Sequence, residues 1–255
     1  MTRPLTPLSG AMRQIAIVLL TATMLFTNLV VGTGSFSEGG AEGEIQTVYY
    51  LYQSAFTPAP FTFAVWAPIF LGCVLLAILQ ARPSERGNTA LDRFALPYAA
   101  ALIANALTPF APIGWGLVVV AALLASLTAA YLTLTAGPER ARWFYRVPVA
   151  LFATWALVAT ALNATQVIVA WGGEVGPLAA AALIAGVMSL GAWAIRATRE
   201  AAILAVMAWA GIGIAAEQWD AAILVTAIAL TTAASAAVAW RAGALGGWQH
   251  EHPRP

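Results

Sequence analysis

The sequence predicts an all-α fold, a polytopic membrane bundle of about eight transmembrane helices, and three observations carry that prediction. Only 9% of the residues are charged and 61% are hydrophobic, against about a quarter charged in soluble domains. The stretch from Phe61 to Gln80 is uncharged for about the thickness of a bilayer, and on a soluble surface it would expose a large apolar patch. All 12 basic residues are arginine, and they fall in alternate gaps between the apolar segments.

The first apolar segment runs from about Met12 to Val31 behind Arg3 and Arg13. A signal peptide starts in the same way, but the length and the lack of a clear Ala-x-Ala site favour a retained helix. Gly32 to Glu44 follows, rich in Gly and Ser with Glu38, Glu42 and Glu44, and reads as an exposed loop. Val48-Tyr49-Tyr50-Leu51-Tyr52 is an aromatic cluster suited to the membrane–water interface. Helix two then opens on Thr57-Pro58-Ala59-Pro60, because proline favours a helix start, and spans about Phe61 to Gln80. Within it Phe63, Trp66, Phe70 and Cys73 or Val74 recur at steps of three and four, which places an aromatic stripe on one face. Arg82 to Asn88 ends it.

Further apolar segments lie near Leu91–Thr108, Ile113–Thr135, Val147–Trp171, Pro177–Ile195, Ala201–Ala216 and Ala221–Trp240. The seventh is the shortest against the roughly 20 residues a full crossing needs. Charge placement tests the count. With eight crossings and both termini cytoplasmic, every arginine faces the cytoplasm, as the positive-inside rule requires. The opposite loops carry only Glu38, Glu42, Glu44, Glu174, Glu217 and Asp220, and an odd number of crossings would mix the two sets.

Composition also excludes chemistry. A net charge of +1 rules out a broad nucleic-acid surface, so no nucleic-acid partner is expected. The absence of lysine rules out a Schiff base. The one cysteine, Cys73, cannot form an intramolecular disulfide and reads as a small buried hydrophobe. No Asp, Glu, Arg or His lies well inside a predicted span, which disfavours ion-coupled pumps and proton relays. The histidines, His250 and His252, sit in the polar tail, so no haem ligation within the bundle, no metal site and no core hydrolase are expected, and no catalytic residue is assigned.

What stays buried and polar is amide, hydroxyl and indole. Asn105 lies near the end of helix three with Thr108 and Pro109, and Thr160, Asn163 and Gln166 recur every three residues in helix five. Two readings stand open: such amides bond between helices, or they face a cavity and orient a ligand whose apolar walls the aromatics supply. Trp115, Trp171, Trp219 and Trp240 fall near predicted helix ends and suit an interfacial belt. Trp66 and Trp155 lie deeper and are the better pocket residues, and Trp66 is expected level with Asn105.

Thr57 to Trp66 with Gly72, the stretch Leu102 to Phe110 around Asn105, and Pro148 to Trp155 with Ala159, Leu162 and Asn163 occur here in order. Together they resemble the TspO/MBR family, the tryptophan-rich sensory proteins related to the translocator protein. The resemblance covers residues from about 13 to 171, five helices, so the chain divides into a TspO-like region at 1–171 and three added helices with a polar tail at 172–255. It looks like an extended bacterial form of that family. The resemblance implies a multi-pass protein of the bacterial cytoplasmic (inner) membrane with a cavity for a porphyrin or other tetrapyrrole. The porphyrin or haem-type molecule is then a ligand rather than a required cofactor, and a homodimer is among the arrangements implied. Carried over by motif, Trp66, Asn105, Trp155 and Asn163 bind the ligand, joined by Phe63 and Phe70 from the aromatic stripe.

The expected function is thus a membrane-embedded sensory or binding protein for a flat apolar ligand. A transporter or exporter of a small apolar solute is the alternative class, followed by light-dependent porphyrin oxidation at Trp66 or Trp155. A non-catalytic scaffold, in which Trp and Asn only pack, is the remaining alternative, and Gly211-Ile212-Gly213 would suit its close helix contacts.

Overall fold

The computed structural model describes residues 9–32, 51–134 and 142–245. The acidic loop from 33 to 44, the cluster at 48–50 and the His250-Glu251-His252 tail lie outside the described residues. Among the described residues, eight α-helices follow one another: α1 Gly10–Gly32, α2 Trp66–Gln80, α3 Thr89–Leu107, α4 Trp115–Leu134, α5 Val147–Ala170, α6 Pro177–Thr198, α7 Ala201–Glu217 and α8 Ala222–Arg241. Among the described residues there is no strand. Six of the helical segments among the described residues are long and apolar enough to cross a membrane. The six do not include α3, which carries Asp92 and Arg93, or α7, which has 17 residues.

Proline and capping chemistry set most boundaries. Pro148 and Pro177 stand at the first or second position of α5 and α6, where a missing N–H costs nothing. Asn88 caps α3 by accepting hydrogen bonds from the Ala90 and Leu91 amides. At the end of α5, Gly172 takes φ +84° and donates to Val169 O, while Gly173 N donates to Ile168 O, the paired bonds of a Schellman turn. The segment Pro60–Val65 is the exception to the expected α-helix: it is a 3-10 helix that passes into α2 at Trp66.

The first five helices close a ring. α1 packs on α2 and α3, α3 on α4, α4 on α5, and α5 returns to α2. Outside it, α7 packs on α5 and on the 3-10 turn, and α6 and α8 pack on each other and on α7. The ring is tied at its arginine-bearing end by a buried polar cluster. Arg13, 1% exposed, pairs with Asp92 and donates to Asn88 O and Glu85 O at 3.0 and 2.6 Å. Gln14 and Gln80 exchange side-chain-to-carbonyl bonds, Gln14 Nε2 to Gln80 O at 3.0 Å and Gln80 Nε2 to Gln14 O at 3.2 Å. A second tie joins Arg146 to the buried Glu200 at 2.9 Å and to the Tyr131 hydroxyl at 3.1 Å. Charge patterning placed these arginines at the ends of spans, and the fold adds that Arg13 is turned inward to join α1 to α3.

Candidate ligand site

The site grows from the change of helix type at Trp66. Phe63 lies three residues before Trp66, one turn of a 3-10 helix, and Phe70 lies four residues after it, one turn of an α-helix, so one side of the segment carries all three rings. Trp66 and Phe70 stack with centroids 5.0 Å apart and planes at 23°. On α5, Phe152 and Trp155 are three residues apart and meet that face. Trp155 stands T-shaped to Trp66 at 6.2 Å and to Phe63 at 5.9 Å, and Phe152 meets Trp66 at 5.8 Å. Such pairs are worth about 0.5–1.5 kcal/mol each beyond simple burial. Phe152 and Trp155 are buried, whereas Phe63, Trp66 and Phe70 are half-buried.

One glycine lets the two helices come this close. A Cβ built on Gly72 would stand 2.9 Å from Pro148 Cβ, so any larger residue there would push α2 away from α5. Farther along the α2 face, the buried Cys73 thiol lies against the Tyr98 hydroxyl of α3, and Tyr98 stacks on Phe94 at 4.6 Å. Cys73 is a buried free thiol, as its setting in an apolar helix led one to expect.

The two asparagines stand apart from the array. Asn105, 2% exposed, accepts a hydrogen bond from Asn28 Nδ2 of α1 at 3.0 Å. Asn163 donates to Ala159 O in its own helix at 2.9 Å, and its Oδ1 lies beside Gly116 of α4. Trp66 and Asn105 are nonetheless level. Asn28, the partner of Asn105, lies 14 residues along α1 from Gln14, and Trp66 lies 14 residues along α2 from Gln80, the partner of Gln14, a rise of about 21 Å on each helix. They share a depth while their contacts run to different helices, α5 for Trp66 and α1 for Asn105. Phe63, Trp66, Phe70 and Trp155 are thus brought together, whereas Asn105 bonds to α1 and Asn163 to its own helix.

Three participants were not singled out from the sequence. Phe152 had a local signal, because it precedes Trp155 by three residues on the same helical face. Asn28 and Trp209 had none: their partners are 77 and 147 residues away. Trp209 Nε1 donates to Thr62 O at 2.7 Å, and its ring stands edge-on to Phe61 at 5.7 Å.

A helical ring of this apolarity, with an aromatic array between two of its helices and its charges gathered at helix ends, defines a polytopic membrane protein. The chain belongs to the family of TSPO-like proteins, which matches it over residues 14–241 and so from α1 through α8. No curated protein and no solved structure gives a match.

Proposed function

We propose that the chain is a membrane-embedded binding or sensory protein whose rings Phe63, Trp66, Phe70, Phe152 and Trp155 hold a flat, mostly apolar ligand of the tetrapyrrole type. The observation that carries this reading is the continuous aromatic array between α2 and α5, in which Trp66 touches three other rings and is still half-buried. A partly exposed indole can stack on a flat conjugated ring, and the buried Trp155 and Phe152 that meet it hold it in place. The array holds no charged side chain, so shape and stacking select the ligand, and polar substituents are left to reach toward the helix ends. The arginine-bearing end faces the cytoplasm of a bacterial inner membrane in this reading, which puts Trp66 in the outer half of the bilayer.

The test is a titration of the detergent-solubilised protein with protoporphyrin IX, read by tryptophan quenching. Saturable binding is expected, weakened in Trp66→Ala and Trp155→Ala. Affinity that is the same in both variants as in the parent would sink the assignment. Flux of the same ligand in proteoliposomes, measured beside binding, separates a binding protein from a transporter.

A further inference from the structure

The 3-10 turn that carries Phe63 is six residues long, Pro60–Val65, whereas unsupported 3-10 runs seldom exceed three or four residues. Something outside the segment must hold it, and α7 supplies the contacts. The Ala59 amide donates to Gly213 O at 2.9 Å. The Trp209 indole N–H donates to Thr62 O at 2.7 Å, and Phe61 packs on the Trp209 ring. Thr62 is fully buried, and it fits because residue 213 is glycine: a Cβ there would overlap the Thr62 hydroxyl. Phe61 and Phe63 flank Thr62 and go opposite ways, Phe61 to Trp209 on α7 and Phe63 to Trp155 on α5.

We infer that α7 positions the ligand site from outside the five-helix ring, with Trp209 and Gly213 holding the Pro60–Val65 turn in the register that sets Phe63 and Trp66 against Trp155. The inference rests on the ligand-site reading for its consequence, though not for the clamp itself. Trp209 is a positioning residue, since it touches the turn and not the array. A shift of Thr62 by the loss of its partner carries Phe63 on one side and the start of α2 on the other, because a 3-10 turn has few internal bonds to absorb it. Besides its packing on α5, α7 thus reaches the turn through one indole and one glycine.

Trp209→Phe in the full chain removes the N–H and keeps a ring against Phe61. Amide exchange over residues 59–65, protoporphyrin IX affinity from ligand absorbance, and thermal stability are measured on the same preparation. Exchange is expected to rise about three- to thirtyfold, the range for losing one hydrogen bond inside a bundle, with affinity several-fold weaker and little change in the melting temperature. Gly213→Ala, which pushes on Thr62 instead of releasing it, is expected to raise exchange over the same residues. Unchanged exchange in both variants overturns the inference, and so does raised exchange with parental affinity in both. If the parent protein takes up no protoporphyrin IX, the ligand reading fails by itself, and raised or unchanged exchange still supports or overturns the clamp.

Discussion

Gly72 of α2 and Pro148 of α5 touch so closely that a single added methyl group would stand 2.9 Å from the proline Cβ. The contact lies beside the Trp66 and Phe152 pair, and it sets the spacing of the two helices that carry the array. Gly72→Ala is expected to lower thermal stability in detergent by about 1–3 kcal/mol, the usual cost of overpacking a tight contact. It is also expected to weaken protoporphyrin IX binding, because Trp66 moves away from Trp155. A parental melting temperature would show that the helices separate without strain.

Trp66 is half-buried and Trp155 is buried, so their replacements should behave differently. Trp66→Ala removes ring contacts to Phe70, Phe152 and Trp155 and a stacking face, and is expected to weaken ligand binding about two- to tenfold. Trp155→Ala leaves a hole in a packed interior and should in addition destabilise the protein by about 3–5 kcal/mol. Titration and thermal denaturation of the two variants side by side separate the roles.

Asn28 and Asn105 form an interhelical amide pair between α1 and α3. A double-mutant cycle with Asn28→Ala and Asn105→Ala is expected to give a coupling of about 0.6–2 kcal/mol in stability. Ligand affinity should change by less than about twofold, since neither amide touches the aromatic array. A large affinity loss in Asn105→Ala alone would assign Asn105 to the ligand site.

At the arginine-bearing end the buried Arg13 pairs with the partly exposed Asp92, with side-chain exposures of 1% and 15%. Removing one partner strands a charge, and Asp92→Ala is expected to cost about 3–5 kcal/mol. Arg13→Met with Asp92→Leu should cost clearly less, because no unpaired charge remains. Unfolding curves of the single and double variants decide this.

The orientation is open to chemical labelling. On a Cys73→Ala background, Glu174→Cys in intact cells should react with a membrane-impermeant maleimide, while Ser84→Cys should react only after lysis. The reverse pattern would invert the bundle.

Much of the fold was legible because bilayer solvation is a one-dimensional constraint. Runs of about 20 apolar residues and the alternation of arginine-bearing and acidic gaps depend on nothing but sequence order, and the eight helices among the described residues, six of them long and apolar enough to span, fall in the segments those signals mark. The grouping of Phe63, Trp66 and Phe70 was legible for the same reason, since helical periodicity alone puts them on one side. The 3-10 geometry of Pro60–Val65 was not, because the contacts that hold it come from α7. Nor was the inward turn of Arg13, whose partner Asp92 lies 79 residues away.

The placement of the described helices, the alternation of charge between them and the aromatic face of α2 follow from local periodicity and transfer to lipid. Tertiary structure alone decided which faces meet: Trp155 with Trp66, Asn105 with Asn28, Trp209 with Thr62. The physical reason is that a bilayer solvates every apolar helix face about equally well. The choice among faces is left to close packing at small residues such as Gly72 and Gly213 and to a few buried hydrogen bonds, and neither leaves a pattern along the chain.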